Sequence, residues 1–104
     1  MSKVIKPNLG QAVVIFFKML IKFDYENGII TKNKKGLNVS EICEQLSYSS
    51  SYFNDVLNLL EDANICSRLP VSNYKIISIN PSLIDVIYQL KGGVENESSN
   101  SYTY

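Results

Sequence analysis

LNVSEICEQLSYSSSYFNDVLNLLEDANICSRLPVSNYKIISI, residues 37–79, decides the fold. Asn38 followed three residues later by Glu41 fits a reciprocal capping box at a helix start. Val39, Ile42, Cys43 and Leu46 then recur at i, i+3, i+4 and i+7, the stripe of a helix lying on a core. Within that stripe Cys43 reads as a small buried apolar residue. Ser47 and Tyr48 make a tight turn, with Tyr48 filling the core beneath it and Ser49 capping the next helix. Phe53, Val56, Leu57 and Leu60 mark that helix's buried face, and Asn64 suits the left-handed position beyond its end. CSRLPV and YKIISI flank Ser72-Asn73, a two-residue hairpin turn, and Pro70 assigns the first of these strands to a sheet edge.

Working outward, the spacing predicts a first helix over residues 8–27, started by Pro7 or Asn8 and stopped by Asn27-Gly28. Gln11, Lys18 and Lys22 form one narrow polar stripe, and apolar residues occupy most of the remaining circumference. Such a helix is either the central core helix of the domain or meets a second subunit. A homodimer is expected through Val13, Phe17 and Ile21 together with Leu83 and Ile87. Residues 31–36 read as a basic loop, followed by a very short strand at Leu37 and Val39. At the other end, a last helix starts at Asn80-Pro81-Ser82, capped by Asn80 or by Ser82 with Asp85, and Leu83, Val86, Ile87 and Leu90 give it an apolar face. Residues 1–91 thus form one domain, and 92–104 read as a disordered, low-complexity tail.

Composition narrows the function. A chain of 104 residues builds one modest core. Ten basic groups balance ten acidic ones, so no global field advertises a polyanionic partner. Histidine is absent and there is no CxxC pair among the two cysteines, which argues against a metal site and against the usual catalytic triads. Glu61 and Asp62 are adjacent and do not face each other as a catalytic pair would. No enzyme and no cofactor are expected. AVVIFFKMLIKF, residues 12–23, is broken by Lys18 and Lys22 and is shorter than the roughly 20 residues a membrane span needs. The start MSKVIKPNLG has no apolar signal core, so a cytoplasmic protein with reduced cysteines is expected.

The order is helix, short strand, helix, tight turn, helix, two-stranded hairpin, helix: mainly α with a small β-hairpin, the winged variant of the helix-turn-helix. Residues 37–79 resemble the DNA-binding core of bacterial and archaeal winged-helix regulators. Locally they are similar to the iron–sulfur- and nitric-oxide-sensing repressor family, at Tyr52-Phe53, Leu57, Leu60, Ala63-Asn64-Ile65, Arg68, Tyr74 and, further on, residues 83–87. The glycines usual in that family's wing are replaced by Leu69, Ser72 and Asn73, and its cysteine cluster is absent, so the cluster and the sensing are not carried over.

The resemblance implies a double-stranded DNA partner, with the third helix in the major groove and the wing on the backbone. On that expectation Ser49, Ser50, Ser51, Tyr52, Asn54, Asp55 and Asn58 face DNA from the helix. Arg68, Asn73 and Lys75 do so from the wing, and Lys32, Lys34 and Lys35 from the loop. Asn pairs with adenine, Ser with a base or phosphate, and Asp accepts from cytosine. Against this, the third helix has no Lys or Arg, while affinity for DNA rests largely on phosphate neutralisation. The alternative is a winged helix that contacts protein, for which a surface-directed Leu59 would be suited.

Overall fold

Asn8 starts the first helix of the computed structural model, which describes residues 6–87 and 89. Its Oδ1 accepts from Gln11 N at 2.8 Å, and Gln11 Oε1 accepts from Asn8 N at 2.9 Å. This reciprocal box satisfies two backbone donors that the helix would otherwise leave open. The helix, α1 (Leu9–Lys22), lays Ala12, Ile15, Phe16, Met19 and Leu20 into the core.

It stops at Phe23 rather than running on to Asn27. Asp24–Glu26 forms β1, which pairs antiparallel with β2 (Ile29–Lys32) across Asn27-Gly28. Both turn residues have positive φ, 53° and 80°, as a two-residue hairpin with native twist demands. The pairing brings Ile30 to full burial, which outweighs the helical option for three polar-edged residues. A second turn follows, with Asn33 and Lys34 at φ 56° and 67°, and β3 (Lys35–Gly36) folds back on β2. Residues 31–36, expected as a loop, are therefore mostly paired strand. Leu37, expected within a strand, lies just beyond β3 and is buried.

Asn38 caps α2 (Val39–Gln45), its Oδ1 accepting from Ser40 N at 3.0 Å. Glu41 is exposed and does not reach back, so the box expected here is only half made. Ser47 takes φ 63° in the turn, and Ser49 Oγ accepts from Tyr52 N at 3.2 Å to cap α3 (Ser50–Asp62). Phe53, Val56, Leu57 and Leu60 are all buried, as their spacing predicts. Leu59 is half-buried and packs against the core instead of facing solvent. Asn64, at φ 59°, ends the helix.

β4 (Cys66–Val71) and β5 (Tyr74–Ile79) form the expected hairpin, with Ser72 at φ 55° in its turn. The sheet runs β1-β2-β5-β4, with β3 also on β2, and all its pairs are antiparallel. β4 lies at an edge, where Pro70 removes no ladder donor that a neighbour needs. β2 joins β5 through the Ile29–Ser78 pair, and Ile79 N donates to Gly28 O at 2.7 Å. Asn80 Oδ1 accepts from Ser82 N at 3.0 Å, so Asn80 is the cap and Pro81 the first residue of α4, described over 81–87.

Over the described residues the result is an α+β fold of four helices and a five-stranded antiparallel sheet. Three strands, not one, lie between α1 and α2. The expected tail, 92–104, lies outside the described residues, as does Leu90 of the expected α4 face. No helix among the described residues is long and apolar enough to cross a membrane.

Candidate nucleic-acid interface

With its apolar ridge turned inward, α3 presents Ser50, Ser51, Asn54 and Asn58 to solvent, with Asp55 and Tyr52 half-buried beside them. Ser49 is exposed, but its hydroxyl oxygen is engaged in the cap. Tyr52 stacks on Tyr48 with ring centroids 5.5 Å apart, and Tyr48 stacks in turn on buried Phe53 at 6.4 Å. Lys18 of α1 completes this corner: its Nζ donates to Tyr48 Oη at 3.3 Å and lies 5.9 Å from the ring centroid. A cation thus stands beside the start of α3, although α3 supplies none. The sequence shows Lys18 only as part of a polar stripe; its place depends on how α1 packs across α3.

Arg68 is the best-connected polar residue. Its backbone N donates to Glu61 Oε2 at 2.9 Å, and Nε donates to the same oxygen at 3.1 Å. Nη2 donates to Glu61 Oε1 at 2.7 Å and to Asn58 Oδ1 at 2.5 Å, while Nη1 donates to Asn54 Oδ1 at 3.3 Å. Four of the guanidinium's five N–H donors are therefore engaged within the chain. Asn54, Asn58 and Glu61 stand at i, i+4 and i+7, so one helix edge meets one strand residue. The hydrogen bonds from Arg68, opposed by partial burial, hold the Glu61 carboxyl below the usual glutamate range, and the same pairing raises Arg68. Arg68, expected on the DNA face, ties β4 to α3, its charge matched by Glu61.

A larger cluster of positive charge sits elsewhere. Because β2 and β5 are antiparallel with Ile29 opposite Ser78, the Asn33-Lys34 and Ser72-Asn73 turns lie toward the same end of the sheet. Lys32, Lys34, Lys35, Asn73 and Lys75 are all exposed there. A cleft of about 490 Å³ separates the first turn from α2, lined by Lys32, Asn33, Lys35, Asn38, Glu41 and Tyr74 among others. Lys75 is near enough to Glu61 to help lower its carboxyl, so the β4–β5 hairpin connects the lysine turns to the Arg68 cluster. The site residues expected from sequence thus fall into two groups, an uncharged helix face and a basic sheet end.

Of the residues expected between subunits, Phe17 and Ile21 are exposed, Ile21 at 84%. Val14, missed from the sequence, extends their stripe. Val13 and Leu83 are half-buried against their own core, and Ile87 is buried within it. Cys43 and Cys66 are free and buried. Burial pushes the Cys66 thiol up to about 12, and the Cys43 thiol donates to Tyr48 O at 3.1 Å. Among the described residues, no group of three or more His, Cys, Asp or Glu side chains is placed to hold a metal ion. The chain matches no family model and no curated protein sequence.

Proposed function

We propose that this chain is a winged helix-turn-helix protein that binds double-stranded DNA as a homodimer in the cytoplasm and regulates transcription. On this reading α2 and α3 are the helix-turn-helix, the β4–β5 hairpin is the wing, and β1–β2–β3 enlarges the single strand that usually precedes α2. The observation that carries the reading is the gathering of Lys32, Lys34, Lys35 and Lys75 at one end of the sheet of a chain with zero formal net charge. There they meet phosphate, while α3 enters the major groove. The exposed Val14, Phe17 and Ile21 stripe pairs with that of a second copy.

Titration of random-sequence duplex DNA across a salt series tests this. Binding should weaken steeply as salt rises, because each neutralised phosphate releases counterion. No binding at low salt would refute the DNA reading. It would favour a winged helix that contacts protein, a reading supported by the exposed α1 stripe and by Leu69 and Val71 on the wing.

A further inference from the structure

The Arg68 cluster does more than brace the wing, because it leaves two amides only one way to point. A guanidinium has donors and no acceptor, so Asn54 and Asn58 must each turn the carbonyl oxygen of the amide toward it. Their NH2 groups are then directed away from Arg68. Glu61 locks the arrangement by holding the guanidinium through both its carboxylate oxygens. Asn can read adenine bidentately only by showing a base edge both its oxygen and its NH2. With the oxygens turned to Arg68, each amide offers the base its N–H donors alone.

We propose that Arg68 is a positioning residue that sets base preference: it makes Asn54 and Asn58 donor-only readers, and so selects G·C over A·T pairs in the major groove. This rests on the DNA-binding reading above. Guanine presents two adjacent acceptors, N7 and O6, to such donors, whereas adenine presents one acceptor beside an N6 donor that opposes them. Asp55, three residues before Asn58 and so its neighbour on the helix surface, supplies the complementary acceptor. A carboxylate there suits the N4 donor of the cytosine paired with that guanine. The set therefore matches both bases of a single pair.

The test is selection of bound duplexes from a randomised pool by the full chain, followed by titration of the selected site. G·C enrichment at the contacted positions is expected. Replacing those guanines with 7-deazaguanine, which removes the N7 acceptor, should weaken binding by about tenfold. Arg68→Met frees both amides to flip, and should admit A·T pairs at the same positions while leaving the salt dependence intact. Enrichment of A·T by the natural chain would overturn the proposal, as would binding without base preference, and both would leave DNA binding standing. Failure to bind any duplex at low salt would overturn both. Melting curves show whether Arg68→Met folds; if it does not, 7-deazaguanine decides, and unchanged affinity refutes the proposal.

Discussion

The outer face of α3 and the turn end of the sheet differ in almost every physical respect. On α3 the polar side chains are short, with Ser49 held in the cap and Asn54 and Asn58 held by Arg68, and carry no unmatched positive charge. On the turns they are long exposed lysines held in place only by the hairpins beneath them. Fixed groups with defined donor geometry discriminate between ligands, whereas mobile charges attract them. A chain with no net charge can thus still present a basic surface. Its acids are spread over β1, α2, α3, α4 and positions 95 and 97, and none falls within the turn residues 32–35.

The heaviest blow to this division is one that removes both regions. Leu57 is fully buried under α3, and Leu57→Ala should cost about 2–5 kcal/mol of stability, read from denaturant or thermal unfolding. Both surfaces should then be lost together. Replacing Lys32, Lys34 and Lys35 with Ala should instead spare the fold and strip one region alone. The slope of log affinity against log salt should fall by roughly three, with base preference unchanged. A shifted base preference would break the division. Ser49→Ala should lower stability by about 1 kcal/mol through the lost cap, loosening the start of α3 and leaving the salt slope alone.

The smallest effect is expected in acid. The folded Glu61 carboxyl is held below its ordinary value, so its stabilising contribution is complete above the unfolded value and is lost as pH falls through the lowered one. Melting temperature followed downward from neutral pH should show this loss, and Glu61→Gln should remove that part of the pH dependence. A variant with an unchanged profile would show that the ion pair adds little to α3.

The second half of the fold was legible because its punctuation is dense, although the choice between Asn80 and Ser82 as the last cap came from the structure. Ser49 before a helical stripe, Asn64 after it, Ser72-Asn73 between two apolar strands and Asn80-Pro81 before the last helix each admit few conformations. The segment between α1 and α2 was not. Asn27-Gly28 serves equally as a helix stop and as a hairpin turn, since both require left-handed backbone. β1 and β3 have three residues and two, too few to display alternation, and they are fixed by pairing that sequence spacing does not reveal. The site was half legible for a related reason. Exposure of Asn54, Asn58 and the lysines follows from helical phase and turn composition, but the link from Arg68 to α3 depends on how β4 packs.

Gly28 has a consequence in time rather than in space. Its carbonyl receives Ile79 N, and a Cβ placed on it would stand 2.8 Å from Ile84 Cδ1 of α4. The β1–β2 turn is thus clasped by residues about fifty positions away, whose closure carries a large entropic cost before any contact offsets it. The two hairpins join near neighbours in sequence, so their union at Gly28 is expected late in folding. A substitution at this glycine should therefore hasten unfolding far more than it slows folding.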